Sequence, residues 1–375
     1  MKIAQIVTYI SADAAFGGPV SVAVAQAVQL AACGHEVELL AGWDGVAEID
    51  APGVRVRLFR TRTLVPAGFS GFVAPGLLSY VRAHYKSYDA VHVHLARDLI
   101  TFPVALFLSG RGANFVVQPH GMVVPDGRLR ARVFDFLGLR RILSRASSVI
   151  AYRGVDDGAL SNLSRGEASI EFLVNGVESD GLQESGHRAS NEVMFMARLH
   201  PRKRVMAFAE MARILNDRRV PCRFVVVGPD EGDLPQLQAF IRDNTMGDIF
   251  GYEGPVPYSE VRNRLRRSAV YVLPSVNEPF PVTVLEAMAI GAPCVITDSC
   301  GLAPYFQEDS AGLVTDGTPA GMADAVERLI REPAVRESVI RNAEHSIQTR
   351  FSIRAVADTL VGLYQKGYRV PLEGS

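Results

Sequence analysis

The chain has no long hydrophobic run, few cysteines and almost no net charge. Of its 375 residues, four are cysteine, and the formal net charge is −1. This balance gives no electrostatic reason to expect a nucleic-acid partner. No apolar run approaches the roughly 20 residues that a membrane-spanning helix needs. The cysteines show neither the spacing of metal ligands nor the pattern of a secreted disulfide framework, which predicts reduced thiols in a cytoplasmic protein.

Targeting features and short repeats are also missing. The opening apolar run is short, and no small-residue cleavage site follows it at the distance typical of a signal peptide. We therefore expect Ile3–Tyr9 to be a buried first strand. No solenoid-type repeat or low-complexity tract interrupts the chain.

What remains is the composition of a globular protein with two domains. Hydrophobic residues make up 48% of the chain and charged residues 21%, and 375 residues exceed one ordinary core. Short apolar segments alternate with helical patterns in both halves, which is typical of parallel sheets covered by helices on both faces. We predict an α/β protein with two doubly wound, Rossmann-like domains facing across a cleft. The polar stretch from Glu178 to Asn191 is the best linker, giving domains 1–186 and 187–350 and a last segment, 351–375, whose helix packs back across them.

Two glutamates stand out in the second half. Glu278 lies in a Pro-rich loop after the apolar run Val270–Leu273, and Glu286 lies in the first turns of the next helix. A strand–loop–helix junction directs backbone N–H groups and a positive helix dipole toward a ligand. Carboxylates beside such a site suit a ligand with both hydroxyls and phosphates. The plainer alternative is a capping Glu278 and a solvated Glu286, but the flanking residues favour the functional interpretation.

Three further segments carry candidate ligand-binding residues. Gly17 and Gly18 follow the first strand, where glycine allows close approach of the backbone to a phosphate. An ordinary turn is an equally good explanation for this pair. Arg198 and Lys203 follow the first strand of the second half, and a guanidinium fork with a mobile ammonium suits a diphosphate. His120, in Pro119-His120-Gly121-Met122, follows the strand that ends at Gln118.

Taken together, these segments resemble the retaining glycosyltransferases of family 4. The resemblance rests on Glu278 followed by Glu286, on Arg198 with Lys203, and on His120, and it extends from Gly17 to the Gly312-Leu313-Val314 segment. Asn175-Gly176-Val177 matches the family's turn before the linker. The chain departs from the family pattern at Ala197, Arg204 and Pro281, where glycine is usual. Since proline has no N–H, the amides of Val282 and Thr283 would have to serve instead of that of residue 281.

The resemblance implies a GT-B fold and transfer of a sugar from a nucleoside diphosphate sugar with retention of configuration. It assigns the leaving diphosphate to Arg198 and Lys203 and the sugar hydroxyls to Glu278. It places His120 beside the reacting centre, and the acceptor hydroxyl would lose its proton to the leaving phosphate. The remaining implied donor-binding residues are Gly17, Gly18, Gly228, Gly254, Val256, Phe280, Val282, Thr283 and Glu286, the last on the ribose. His92 and His94 alternate within a strand and are interpreted as structural, and no third ligand at a persuasive spacing accompanies them for zinc.

The implied partners are a UDP- or GDP-linked sugar donor and a glycan or lipid-linked acceptor of cell-surface biosynthesis, bound by the first domain. No cofactor is expected, and no metal, because no Asp-x-Asp triplet occurs in the chain. The segment 128–145 carries six arginines among apolar residues, which suits either peripheral contact with the inner face of the cell membrane or an ordinary helix with a basic solvent face. Two alternatives remain open: a nucleotide-sugar epimerase on the same architecture, and a non-catalytic nucleotide- or glycan-binding relative.

Overall fold

The computed structural model describes residues 1–10, 17–66, 70–124, 129–178 and 191–367. The chain divides into two compact units, one formed by Met1–Gly176 with Ile353–Ser375 and the other by Val177–Ser352. Most of the predicted linker, with the predicted boundary at residues 186 and 187, lies outside the described residues.

The first unit is built on strands joined by helices. Its elements are β1 (Lys2–Ile10), α1 (Gly17–Ala32), β2 (Glu36–Trp43), β3 (Arg55–Arg60), β4 (Arg62–Thr63), β5 (Phe72–Val73), α2 (Pro75–His84), β6 (Ala90–Val93), α3 (Thr101–Ser109), β7 (Phe115–Val117), α4 (Leu129–Phe134), α5 (Arg140–Arg145), β8 (Ser148–Ala151), α6 (Asp157–Ser164) and β9 (Ile170–Phe172). A 3₁₀ turn spans Tyr85–Ser87, and a π-helical turn, Asp135–Leu139, joins α4 to α5.

Seven of these strands form one parallel sheet in the order β3-β2-β1-β6-β7-β8-β9, while β4 and β5 pair as a separate antiparallel ribbon. Successive side chains of a strand point to opposite faces. Accordingly, Ile3 packs in one buried cluster and Ala4 and Ile6 in another. Both faces of the sheet are therefore apolar, as expected for a parallel sheet with helices on each side.

The second unit repeats this plan. Its elements are β10 (Glu192–Met196), α7 (Val205–Asp217), β11 (Arg223–Val227), α8 (Leu234–Asp243), β12 (Phe250–Gly254), α9 (Tyr258–Leu265), β13 (Val270–Leu273), α10 (Val282–Ala289), β14 (Cys294–Thr297), α11 (Ala303–Asp309), β15 (Leu313–Thr315), α12 (Pro319–Arg331) and α13 (Pro333–Thr349). Six parallel strands follow the order β12-β11-β10-β13-β14-β15. A short 3₁₀ helix, Pro201–Lys203, precedes α7.

The last helix, α14 (Ile353–Lys366), belongs to the first unit. Its buried side chains join the cluster that contains Ile3, and the Asn114 side chain donates to the Tyr364 carbonyl over 2.8 Å. The chain enters this helix beside Gly176, where a Cβ atom would lie 2.6 Å from the Ile353 Cα atom. Only glycine fits at so close an approach.

The predicted α/β class with two doubly wound sheets is confirmed. In each sheet the strand order reverses at one point, between β1 and β6 in the first unit and between β10 and β13 in the second. Ligands of doubly wound sheets bind outside the carboxyl ends of the strands at such a switch point. The loops that follow these four strands are therefore the places to look for a site.

Candidate functional site

Lys203 and Glu278 meet at the switch point of the second sheet. Lys203 ends the 3₁₀ helix that follows β10, and Glu278 lies in the loop that follows β13. The two loops are joined through the backbone, since the Val276 N–H donates to the Arg202 carbonyl over 3.1 Å. The chain segments after the two neighbouring strands are thus held side by side.

The ammonium group of Lys203 donates to Oε2 of Glu278 over 2.5 Å. Their side chains are 13% and 11% exposed, so this ion pair is largely removed from water. Burial lowers the pKa of Lys203, the Glu278 carboxylate opposes that effect, and the positive charges of Arg202 and Arg198 lower the pKa further. The positive charges of Arg198 and Arg202 therefore lie close enough to Lys203 to affect its pKa.

Arg198 and Arg202 are more exposed than Lys203. The Arg198 guanidinium donates to Glu231 over 2.7 Å, and the Arg202 guanidinium lies 3.8 Å from Oε2 of Glu278. Both side chains are more than 40% exposed. Because these two guanidinium groups are themselves partly exposed to solvent, they are accessible to an anion.

Glu286 is buried in α10, being 7% exposed, so the alternative of a solvated helix residue does not hold. The first turn of this helix has no side-chain cap, and Pro281 stands at the N-cap position. Val282 and Thr283 supply the first helical amides, and the Tyr271 hydroxyl contacts the Thr283 hydroxyl over 3.0 Å. Burial raises the pKa of Tyr271, and the carboxylates of Glu286 and Glu278 add to this effect. Both carboxylates consequently act on one buried phenol.

Phe280 packs below this loop. Its ring lies edge-on to the rings of Tyr305 and Phe351, with centroids 6.0 Å apart in both cases. This aromatic cluster fixes the loop between Glu278 and α10, which gives Phe280 a supporting place in the site.

The two glycines predicted for the nucleotide side, Gly228 and Gly254, differ in their surroundings. At Gly228 a Cβ atom would lie 2.0 Å from the Ala197 carbonyl oxygen. The Gly228 N–H donates to the Gly254 carbonyl over 2.9 Å. Gly254 has a left-handed φ of 76° with open space at its Cβ position. Gly228 is therefore required by the close approach of two loops, whereas Gly254 and the half-buried Val256 lie at the loop edge.

A buried arginine holds the same loop. Arg264 donates to both oxygens of Glu253 over 2.6 and 3.0 Å and to Glu192 over 2.6 Å. These ion pairs raise the pKa of Arg264 against the effect of its burial. Because Glu253 immediately precedes Gly254, this bidentate contact fixes the backbone that leads to Val256.

In the first unit, Gly17 and Gly18 open α1 at the carboxyl end of β1. Space is open around the Cβ position of Gly18, and its carbonyl accepts a hydrogen bond from Ser21. Phe16, which precedes this pair, lies outside the described residues.

His120 follows β7 in the same unit and is buried. Its Nε2 atom lies 2.7 Å from Nδ1 of His94, and its Nδ1 atom lies 3.2 Å from the Tyr152 hydroxyl. Burial lowers the pKa of His120 to about 3, so its ring is neutral at physiological pH. Sequence reasoning set His94 aside as structural, yet the structure bonds it to His120. The available signal was its position two residues after His92, at the carboxyl end of a strand neighbouring β7.

A metal site does not emerge from the described parts of the chain. No cluster of three or more His, Cys, Asp or Glu side chains in those parts could hold an ion. All four cysteines are free thiols, and three of them are buried. Within the same ranges, no helix is long and apolar enough to cross a membrane.

Comparison with known families covers most of the chain. Residues 183–346 match the family described as glycosyl transferases group 1, and residues 17–157 match the glycosyl transferase 4-like domain. The two segments thus make the chain similar to the group 1, family 4-like glycosyltransferases. The resemblance seen in the sequence is thereby confirmed.

Two relatives of known name are also transferases. The chain is 30% identical over 176 residues to an alpha-D-kanosaminyltransferase of Streptomyces kanamyceticus, covering 46% of this chain and 45% of that protein. It is 27% identical over 361 residues to a D-inositol 3-phosphate glycosyltransferase of Frankia alni, covering 84% of this chain and 86% of that protein. The chain thus spans about half of the first relative's length and most of the second's.

Among solved structures, the Anabaena protein HepE in complex with UDP and glucose superposes with a TM-score of 0.75. The match covers 97% of this chain and 100% of HepE at 17% identity, which shows a shared fold. This fold is the GT-B type of two Rossmann-like domains, as the sequence predicted.

Proposed function

We propose that the protein transfers a sugar from a nucleoside diphosphate sugar to an acceptor hydroxyl, with retention of anomeric configuration and without a metal ion. The observation that carries this proposal is the buried contact between Lys203 and Glu278 at the switch point of the second sheet. It joins a cation suited to a phosphate with a carboxylate suited to sugar hydroxyls.

The leaving diphosphate is assigned to Arg198 and Lys203. Negative charge grows on this group as the glycosidic bond breaks, so fixed cations there stabilise the transition state more than the bound donor. The half-exposed guanidinium of Arg198 can leave Glu231 for a phosphate, because an exposed ion pair is worth little. The two side chains supply the positive charge that a metal ion would otherwise provide.

The sugar and the nucleoside are assigned to separate groups. Glu278 accepts hydrogen bonds from hydroxyls of the transferred sugar, and Glu286 accepts them from the ribose. The phosphates are assigned to the amides of Val282 and Thr283 at the start of α10, and the resemblance adds those of Gly17 and Gly18 at the start of α1. Gly254 and Val256 contact the base of the nucleotide. We favour a UDP-linked donor, because the structure of HepE contains UDP. His120 acts on the transferred sugar as a neutral, hydrogen-bonding ring.

The acceptor is proposed to be a glycan or a lipid-linked sugar, and the protein is proposed to work in the cytoplasm at the inner face of the membrane.

An exposed surface in the first unit supports contact with a membrane. The turn after α4 leaves Phe136 90% and Leu137 56% exposed. The exposed side chains of Arg132, Arg140 and Arg141 lie near them along the chain. We define Val133, Phe136 and Leu137 with these arginines as the apolar–basic patch. Apolar groups among cations suit the surface of an anionic membrane.

The same segment also has the inward face that its alternative interpretation required. Ala131, Leu139, Ile142 and Leu143 are buried, so the helices have an ordinary core side as well. Arg97 fixes the segment by donating to both oxygens of Asp135 over 2.9 and 3.1 Å and to the Val124 carbonyl over 2.8 Å. The patch is consequently an additional surface feature and not a substitute for core packing.

An epimerase on the same architecture is not favoured, because the matched families and the relatives described above are named as transferases. A thermal-shift screen with UDP, GDP, ADP, TDP and their glucose conjugates tests the proposal, because a ligand stabilises the folded protein that binds it. We expect one nucleotide series to raise the melting temperature of the wild type, and Glu286→Ala to abolish most of that rise. Absence of any rise at millimolar ligand would contradict the proposal.

A further inference from the structure

His120 occupies a strained turn. The Met122 N–H donates to the Pro119 carbonyl over 2.9 Å, and the two central residues, His120 and Gly121, have φ values of 55° and 70°. Two positive φ angles are the mark of a type I′ turn. Glycine accepts this conformation freely, but a residue with a side chain adopts it only at an energetic cost. Such a conformation persists only where its surroundings hold it.

The backbone of this turn is held by Asp156. One oxygen of this buried carboxylate accepts the Gly121 N–H over 3.0 Å, and the other accepts the Tyr152 N–H over 2.7 Å. Asp156 therefore fixes the main chain on either side of the site. The orientation of the His120 ring needs separate contacts.

Those contacts occupy both ring nitrogens. Nε2 of His120 lies 2.7 Å from Nδ1 of His94, and Nδ1 of His120 lies 3.2 Å from the Tyr152 hydroxyl. The rings of His94 and His120 are parallel to within 10°, with centroids 5.0 Å apart. A neutral imidazole has one donor and one acceptor nitrogen. Each neighbour must therefore match the tautomer of His120.

The rest of the chain of contacts decides this tautomer. The Tyr152 hydroxyl donates to Oδ1 of Asn175 over 2.9 Å, so it accepts a hydrogen bond from Nδ1–H of His120. Nε2 of His120 then accepts from Nδ1–H of His94, which leaves Nε2 of His94 as an acceptor. That atom lies 3.3 Å from Oε1 of Gln5. The buried Nε2 atom of the same amide makes no hydrogen bond within the described residues, and the Gln5 side chain also lies beside the Tyr364 hydroxyl. Because amide oxygen and nitrogen are nearly interchangeable in shape, turning the Gln5 amide gives this nitrogen His94 as its acceptor.

The hydrogen bonds thus run in one direction, from Gln5 through His94 and His120 to Tyr152 and Asn175. We propose that His94 is a positioning residue for sugar transfer: its Nδ1–H holds the His120 ring in one orientation, with the proton of His120 on Nδ1. This inference rests on the proposed function, in which His120 acts on the sugar. A sugar hydroxyl that approaches the His120 Nδ1–H shares or replaces the longer contact with Tyr152, while the contact with His94 persists.

His92 provides a matched control on the same strand. It is fully buried, and its ring stacks on that of His94 at 4.5 Å between centroids. Its Nδ1 atom lies 2.9 Å from the Tyr364 hydroxyl. His92 therefore shares the burial and stacking of His94 but has its hydrogen bond directed to α14. A purely structural role would make the two histidines equivalent.

The experiment compares His94→Leu and His94→Asn with His92→Leu and His92→Asn. The amide nitrogen of asparagine lies as many bonds from the backbone as Nδ1 of histidine, so His94→Asn keeps a donor toward His120. For His94→Leu we expect kcat for donor turnover to fall roughly 10- to 100-fold, as when orienting partners of other functional histidines are lost. The KM for the donor and the Kd for the free nucleoside diphosphate should stay within about twofold. We expect His94→Asn to recover most of the loss and both His92 variants to stay within about threefold of wild type.

The tautomer of His120 is a readout that does not depend on activity. Nitrogen-15 NMR of the imidazoles should show His120 protonated on Nδ1 in the wild type and in both His92 variants. In His94→Leu, Nε2 of His120 loses its donor while the Tyr152 hydroxyl still accepts from Nδ1–H, so the Nε2 resonance should shift and the ring should lose its fixed orientation. Should His94→Leu fail to fold, two single variants replace it, His94→Asn and Tyr152→Phe. Tyr152→Phe removes the other hydrogen-bond partner of His120.

The outcomes separate the two proposals. Equal losses of kcat and melting temperature in the His92 and His94 variants would overturn the positioning role, as would a His120 Nε2 resonance that is unchanged in His94→Leu. A wild type that turns over no nucleoside diphosphate sugar, with that resonance still dependent on His94, would overturn the proposed function alone.

Discussion

Nζ of Lys203 lies 2.5 Å from Oε2 of Glu278, in a contact that is almost closed to water. The cation that we assign to the diphosphate is thus paired with the carboxylate that we assign to the sugar. In the proposed function, the donor offers a phosphate to Lys203 and hydroxyls to Glu278. Since removing one partner of a buried ion pair leaves an uncompensated charge, we expect the donor to engage both residues together.

The two glutamates should have separable effects. Glu286→Ala should weaken binding of the free nucleoside diphosphate, because the lost hydrogen bonds are to the ribose. Losing a hydrogen bond to a charged acceptor costs about 1.5–3 kcal/mol, roughly ten- to a hundredfold in affinity. Glu278→Ala should leave this affinity unchanged or improve it, because it frees Lys203, while turnover of the sugar donor falls. Isothermal titration with the free nucleotide and kinetics with the donor check both; wild-type affinity in Glu286→Ala would show that the ribose role is wrong.

Turnover should not need a divalent metal ion. The diphosphate charge is assigned to Arg198, Lys203 and helix amides, so EDTA should leave kcat unchanged. Donor turnover measured after exhaustive EDTA treatment, with and without added magnesium or manganese, is the test. Loss of activity in EDTA that either ion restores would contradict the assignment.

The folded protein should lose stability as the pH falls below about 6.5, the ordinary pKa of histidine. Burial lowers the pKa of His92 and His120 to about 3 and lowers that of His94 well below its usual value. The unfolded chain therefore binds more protons than the folded one below pH 6.5, and its population rises. Each histidine contributes about 1.4 kcal/mol per pH unit once the pH lies well below its unfolded pKa.

Urea unfolding at pH 7.5, 6.5 and 5.5 measures this dependence. Burial raises the pKa of Asp98 and Asp156, which acts in the opposite sense at lower pH, so the comparison is best made above pH 5. His92→Leu should remove about one third of the histidine contribution. A pH profile identical in wild type and variant would contradict burial of a neutral His92.

The apolar–basic patch should bind anionic vesicles. Phe136→Ser combined with Leu137→Ser should reduce sedimentation with phosphatidylglycerol vesicles, because both exposed apolar side chains are lost. Val46→Ser is the control, since Val46 is another exposed apolar residue of the same unit, 74% exposed. Equal sedimentation of all variants, or binding that ignores the lipid charge, would show that the patch does not contact membranes.

Much of the fold was predictable because its strands are short, fully apolar runs. The apolar run Val270–Leu273 forms a strand over the same four residues, and all four are buried. The β4–β5 ribbon has two residues in each strand, too few for any periodic pattern to show. The segment Asp135–Leu139 is kinked at Gly138, where a Cβ atom would lie 2.6 Å from Leu106, and no local sequence pattern reveals this long-range approach.

The candidate site was predictable where residues follow strands, and less so where side chains meet across strands. Glu278 and Lys203 were found from their flanking residues, but their mutual contact requires that β10 and β13 be neighbours. His94 was set aside because alternation within a strand explains two histidines equally well. Its contact with His120 follows from the pairing of β6 with β7, which aligns His92 with Val116. Arg202 is half exposed and also lies near Glu278.

The central claim is tested most directly by kcat for release of nucleoside diphosphate from the sugar donor, in wild type, Lys203→Ala and Arg198→Ala. Arg213→Ala is the matched control, because Arg213 forms an exposed ion pair with Asp217 on α7. Removing one fixed stabiliser of developing charge costs on the order of 3–4 kcal/mol, or about a hundred- to a thousandfold in rate. We expect kcat to fall by that factor and more than KM rises, with little recovery in Arg198→Lys because an ammonium lacks the guanidinium fork. Near-wild-type kcat in both Lys203→Ala and Arg198→Ala would contradict the proposed diphosphate site.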